Sequence, residues 1–121
     1  DRGDWVLSDR FTGSTTAYQG YGRGLDRELI TDLERIATRG LSPDMTVWLD
    51  IPLALSIQRR GSREEDRIEA EGLAFLERVS NGFSNLAKAR GWESVVADRP
   101  LLEVAEAIQT ALLTRAAAWQ R

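Results

Sequence analysis

The chain has 121 residues, 42% of them hydrophobic and 29% charged, with a formal net charge of −3. This is the make-up of one ordinary globular domain, and it offers no broad basic footprint for DNA or RNA. Cysteine and histidine are both absent, which excludes a disulfide framework, a thiolate nucleophile, a Ser-His-Asp triad and the usual zinc sites.

Carboxylates, arginines and hydroxyls must therefore carry any chemistry. The amino terminus shows no charged-then-apolar leader, and no apolar run approaches the length of a bilayer span. A cytoplasmic protein with neither a nucleic-acid nor a membrane partner is expected. Asp1-Arg2-Gly3-Asp4 is an abrupt opening without an initiator methionine, and it reads as the middle of a protein.

Trp5-Val6-Leu7 reads as a short buried strand from its aromatic and β-branched content. Asp9 and Arg10 fall where that strand runs out, the edge at which open α/β sheets bind ligands. An arginine there matches phosphate oxygens with its planar fork, and a neighbouring aspartate can hold a metal ion through water. Ser14, Thr15, Thr16, Tyr18 and Gln19 continue a polar surface within one or two helical turns, with one of the hydroxyls expected to cap a helix. Gly20, Gly22 and Gly24 shape a turn and do not cradle a phosphate, because no lysine accompanies them.

From Leu25 to Arg39 the residues Leu29, Ile30, Leu33, Ile36 and Ala37 are spaced as one buried helical stripe, closed by Gly40 and ended by Ser42-Pro43. Thr46 to Ile51 is apolar on both faces until its end, as suits a parallel strand covered by helices. Pro52 begins a helix with Ala54, Leu55 and Ile57 on its apolar side, stopping near Gly61. In Gln58 to Glu69, Arg59, Arg60, Arg63 and Arg67 alternate with Glu64, Glu65, Asp66 and Glu69, and only Ile68 is available to bury. That segment reads as solvated and mobile, laced with i,i+4 pairs.

A long helix through Phe75, Leu76, Val79, Phe83, Leu86 and Ala87 follows. Gly82 should weaken its middle, Lys88 and Arg90 suit the dipole at its end, and Gly91 stops it. Glu93 to Ala97 is a third strand, after which Asp98 is the expected N-cap and Pro100 the first turn of a last helix. That helix should bury Val104, Ala105, Ile108, Ala111 and Leu112 and fray beyond Thr114. Trp48 and Trp92 read as core or near-core. Strands alternating with helices imply right-handed βαβ units and a parallel sheet with helices on both faces, yet three strands make a small core and call for partners.

Asp9-Arg10-Phe11, Ser14 to Gly20, Gly22-Arg23-Gly24, Asp26, Pro43-Asp44, Leu49-Asp50 and Asp66-Arg67-Ile68-Glu69 occur in one order along nearly the whole chain. This set closely resembles bacterial thymidylate kinases. The resemblance implies a three-layer α/β P-loop NTPase fold of the nucleoside-monophosphate kinase type, with parallel strand order 2-3-1-4-5. Residues 1–121 would be the carboxyl-terminal part of that single domain, carrying strands 3, 4 and 5 only, with a lid at about 58–69. The activity implied is magnesium- and ATP-dependent phosphorylation of thymidine monophosphate to the diphosphate for dTTP synthesis, by a homodimer. Other nucleoside-monophosphate or deoxynucleoside kinases, and a non-catalytic nucleotide-binding fragment, are the alternatives.

Site residues follow from the same resemblance. Arg10 should hold the acceptor phosphate, with Asp9 beside the magnesium, bound through water. Phe11, Ser14, Thr15 and Gln19 belong to the acceptor pocket, Thr15 at the thymine edge, and Tyr18 packs on the sugar where a ribose 2′-hydroxyl would otherwise fit. Arg59, Arg60 and Arg63 fall in the lid that reaches ATP, with Arg60 in a catalytic role, and Asp98 and Arg99 lie in the loop beside adenine. Two features depart from the family. No G-x-x-x-x-G-K-[ST] loop is present, and Phe83 stands where many relatives carry tyrosine. The missing loop belongs to the strand at the centre of the sheet, so residues 1–121 alone are expected neither to complete that sheet nor to be active.

Overall fold

The computed structural model describes residues 3–60 and 72–120. The Ser14 amide donates to the Phe11 carbonyl at 3.2 Å and opens α1 (Thr12–Thr15), which runs directly into a π-helix at Thr16–Gly22. Asp26 then caps α2 (Arg27–Thr38), its carboxylate accepting from the Glu28 amide at 3.0 Å. Two successive residues with positive φ, Arg39 at 55° and Gly40 at 78°, end that helix. The order continues β1 (Val47–Asp50), α3 (Leu53–Arg60), α4 (Leu73–Arg90), β2 (Glu93–Val96) and α5 (Leu101–Trp119). No helix of the described residues is long and apolar enough to cross a membrane.

β1 and β2 pair in parallel, Val47 opposite Glu93 and Asp50 opposite Val96. The Glu93 amide donates to the Thr46 carbonyl and the Ala97 amide to the Asp50 carbonyl, each at 2.9 Å, which extends the ladder at both ends. α5 covers this pair through Val104, which is buried with Val95 and Ala97, while Val47, Ile51, Ala107 and Ile108 pack around them.

A second core lies between the π-helix and α4. Ala17, Phe75, Leu76, Val79 and Leu86 are buried there, with Tyr18, Tyr21, Leu53, Ile57, Phe83 and Trp92 against them. Close approach is what makes this interface. A Cβ at Gly22 would sit 2.7 Å from Phe75 Cε2, and one at Gly82 would sit 2.7 Å from Tyr21 Cβ, so each element meets the other through a notch. Gly82 therefore does not interrupt α4, because the contact it admits compensates for its poor helix propensity.

Several expectations need correction. Trp5-Val6-Leu7 is not a strand, and its side chains are 72%, 90% and 100% exposed. A strand holds only against a hydrogen-bonded neighbour, and the two strands formed by the described residues pair with each other. Ring contact with Trp119, at 5.9 Å between centroids, gives Trp5 its packing instead. α2 buries Ile30 alone of the predicted stripe, leaving Leu29, Leu33 and Ile36 exposed. Pro100, not Asp98, occupies the N-cap of α5, which runs on to Trp119 with Val104 buried and Ala105 and Leu112 exposed. Of the three hydroxyls, Thr15 stands at the N-cap position of the π-helix and Phe11 at that of α1, and no side chain makes a capping bond at either.

Candidate active site

Chain reversal at Arg10 creates the site. Its φ of 68° lies in the left-handed region that side chains other than glycine seldom occupy, and the Ser8 hydroxyl donates to its carbonyl at 2.8 Å. Such an outlier persists only where its surroundings over-determine it, and these outliers cluster at functional sites. The turn brings the Arg10 guanidinium over the Tyr18 ring, 5.9 Å from its centroid. Tyr18 is itself fixed by an edge contact with Phe83 at 6.2 Å and a tilted contact with Phe75 at 6.3 Å. Phe83 thus serves as an apolar wall for Tyr18 where a tyrosine hydroxyl was the family expectation.

A cleft of about 1330 Å³ opens beside this turn, between the Asp9 to Ser14 segment, α2 and β1. Of the predicted site residues, Asp9, Arg10, Phe11, Ser14, Tyr18 and Arg60 line it. Thr15 and Gln19 lie on the same helical run without reaching the cleft wall, Thr15 exposed and Gln19 half-buried. A second group stands apart from the cleft. Arg59 Nη1 donates to the Ala97 carbonyl at 3.1 Å, and Arg99 Nε donates to the Val96 carbonyl at 2.8 Å, so these arginines meet at the end of β2 beside Asp98. Arg63, and the lid beyond Arg60 with Asp66 to Glu69, lie outside the described residues.

The sequence reading missed Glu34, Arg90 and Trp92 as parts of this region. All three line the cleft, and Trp92 also lies over Gly13, where an added Cβ would meet its ring at 2.5 Å. Glu34 falls outside the apolar stripe predicted for its helix, and Arg90 read as a cation at a helix end. No spacing rule could pair them, because they are brought together only when α2 and α4 pack around the π-helix.

With this geometry in hand, the family match is specific. The family model for thymidylate kinase matches residues 1–108. The chain belongs to the thymidylate kinase family. A protein named thymidylate kinase from Synechococcus sp. (strain CC9311) is 91% identical over 121 residues, all of this chain and 57% of the relative. Another so named, from Parasynechococcus marenigrum (strain WH8102), is 57% identical over 115 residues, 95% of this chain and 55% of that protein. One from Prochlorococcus marinus (strain MIT 9313) is 54% identical over 112 residues, 93% of the chain and 52% of the relative. The chain therefore spans just over half the length of the thymidylate kinases it matches. Family membership carries with it a P-loop NTPase fold, of which the parallel β1–β2 pair and its helices are a part.

Magnesium in phosphoryl-transfer sites takes one or two protein carboxylates, the remaining positions going to phosphates and water. Asp9 offers one exposed carboxylate on the cleft wall, which fits that requirement. No group of three or more acidic residues that could form an all-protein cage occurs among the described residues.

Proposed function

We propose that the intact protein transfers the γ-phosphoryl group of ATP to thymidine monophosphate, giving thymidine diphosphate for dTTP synthesis. The observation that carries this is the positive-φ Arg10 held over Tyr18 at the mouth of the cleft, with Asp9 beside it. In this reading Arg10 binds the acceptor phosphate and lowers the repulsion between two anionic phosphates. Tyr18 packs on the sugar and favours deoxyribose, with Phe11 and Ser14 beside it in the cleft, while Thr15 and Gln19, assigned to the base by the resemblance with Thr15 at the thymine edge, lie off the cleft wall. Asp9 holds magnesium through water, and that ion, when bound, neutralises charge on the phosphoryl oxygens. An oxygen of the acceptor phosphate attacks the γ-phosphorus, the bond to the β–γ bridging oxygen breaks, and ADP leaves with the electron pair.

Arg59, Arg60 and Arg63 are assigned to the lid at about 58–69, with Arg60 in contact with the transferring group. Asp98 and Arg99 flank adenine, a placement supported by the Arg59 bond to the Ala97 carbonyl, which ties that loop to the start of the lid. The 121 residues form the carboxyl-terminal part of one domain whose strand order is 2-3-1-4-5. Parallel adjacency of β1 and β2 supports their assignment as strands 4 and 5, and Trp5 to Leu7 becomes strand 3 once strand 1 pairs with it. These residues carry an acceptor site and no G-x-x-x-x-G-K-[ST] loop, so by themselves they are inactive. The working form is a cytoplasmic homodimer, a reading that rests on family membership and on the apolar face Leu29, Leu33 and Ile36 of α2.

The test is a coupled phosphorylation assay on the protein encoded by the full reading frame. Thymidine monophosphate should be preferred over the uridine, cytidine and adenosine monophosphates, and a reversed ranking ends the proposal. Arg10→Ala should lower kcat/KM by about 100-fold, because a charge-assisted contact to phosphate is lost in both ground and transition states. Unchanged kinetics would remove Arg10 from its role.

A further inference from the structure

Among the described residues Thr16 is the one buried polar side chain, only 3% exposed, and it sits in the π-helix next to Thr15 and two residues before Tyr18. Its hydroxyl donates to Glu34 Oε1 of α2 at 2.8 Å and accepts from Arg90 Nη2 of α4 at 3.4 Å. Arg90 Nη2 also stands 4.0 Å from Glu34 Oε2, and the Glu34 side chain is 13% exposed. The π-helix, the α2 that follows it and the distant α4 are thus joined at one hydroxyl. A carboxylate so largely withdrawn from water is held there by its partners, and removing it would leave a buried hydroxyl without an acceptor and a cation without its counter-charge.

We propose that Glu34 is a positioning residue for the acceptor site, acting through Thr16, with Arg90 as its counter-charge. The proposal rests on the thymidylate kinase reading for its kinetic consequence and on geometry alone for its structural one. π-Helical hydrogen bonding is rare and occurs mostly as local insertions at functional sites, so its persistence over Thr16–Gly22 calls for external support. The packing of Tyr21 and Gly22 on α4 supports the carboxyl-terminal end. At the amino-terminal end, where Tyr18 serves the acceptor, the Thr16, Glu34 and Arg90 network adds a second side of support to the packing of Ala17 and Tyr18 on α4. Glu34 borders the cleft, but its oxygens are engaged on the protein side, so it acts with the Phe75 and Phe83 contacts to place Tyr18, and the Arg10 guanidinium above it, without entering the reaction.

Two readouts on the full-reading-frame protein test this. Loss of a hydrogen bond to a charged group changes an equilibrium by about ten-fold or more. Glu34→Ala should therefore raise the KM for thymidine monophosphate about ten-fold and leave kcat within about three-fold, while Glu34→Gln, which keeps an acceptor for Thr16, restores most of the loss. Amide hydrogen exchange should rise about ten-fold across Thr16–Gly22 in Glu34→Ala and stay unchanged in α5. Asp32→Asn, at the exposed ion pair with Arg35 on the same helix, should match wild type in both readouts. An unaltered KM with unaltered exchange overturns the proposal, and so does a rise in exchange that extends equally to α5, which would mark a general loss of stability. If Glu34→Ala does not yield folded protein, Thr16→Val is decided by the same criteria. Should wild type show no thymidylate phosphorylation, the functional reading fails while the exchange result still decides whether Glu34 pins the π-helix.

Discussion

Two helices border the π-helix, and they are finished to different degrees. α4 buries Phe75, Leu76, Val79, Gly82, Leu86 and Ala87, whereas α2 buries Ile30 and leaves Leu29, Leu33 and Ile36 in solvent. Both carry apolar residues at helical spacing, so amphipathicity alone does not determine burial. Notched surfaces make the difference on the α4 side, where Gly22 and Gly82 let backbones and rings approach closely and Tyr18 is held between Phe75 and Phe83. α2 meets the same π-helix with a looser approach, at Gly20, where an added Cβ would lie 3.1 Å from Arg27 Cγ and 3.4 Å from Ile30 Cδ1. It also meets it through polar contact, Thr16 with Glu34, while the Arg27 guanidinium lies 4.7 Å from the Tyr21 ring centroid. The cleft beside Tyr18 is therefore built on α4 and adjusted from α2.

The contrast can be broken most forcefully at Leu76. Truncation of a buried leucine removes its transfer energy and leaves a cavity, so Leu76→Ala should cost about 2–5 kcal/mol in urea unfolding. A cost under 1 kcal/mol would mean that the π-helix and α4 are not the principal core.

Gly82→Ala is smaller but sharper, because its sign is informative. At an exposed helix position this substitution stabilises by about 1 kcal/mol. Here the new methyl carbon would lie 2.7 Å from both Tyr21 Cβ and Tyr21 Cγ, and overpacking of that kind costs about 1–3 kcal/mol. A raised unfolding midpoint would show that the notch is loose, and the account of the α4 interface would fall with it.

What could be read from the sequence follows the range of the interactions involved. Local rules placed β1, α3, α4 and β2, the left-handed stop at Gly91 and the turn at Gly40, because each depends on residues within one or two turns. Of the residues that the ordered motif singles out, Asp9, Arg10, Phe11, Ser14 and Tyr18 line the cleft, and Thr15 and Gln19 do not. The π-helix went unseen because nothing in Thr16 to Gly22 distinguishes a wider helical turn from an ordinary one until Gly22 meets Phe75. Glu34 and Arg90 went unseen for the same reason, being 56 residues apart. Trp5 to Leu7 was misread as a formed strand from good local propensity, which cannot supply the neighbouring backbone a strand requires.

Leu33 supplies the gentlest test, and it bears on α2 directly. At 56% exposure its side chain contributes little to the folded monomer, so Leu33→Gln should change the stability of a monomer by no more than about 0.5 kcal/mol. Glutamine matches leucine closely in helix propensity, which leaves surface chemistry as the variable. If a second copy covers the Leu29, Leu33 and Ile36 face, the same substitution places a polar group in an apolar contact and shifts the full-reading-frame protein from dimer toward monomer in sedimentation. A variant that remains dimeric, with unchanged stability, assigns that face to solvent and moves the dimer contact elsewhere. A stability loss of several kcal/mol in a monomer would instead put Leu33 in a core, and the contrast between α2 and α4 would no longer hold.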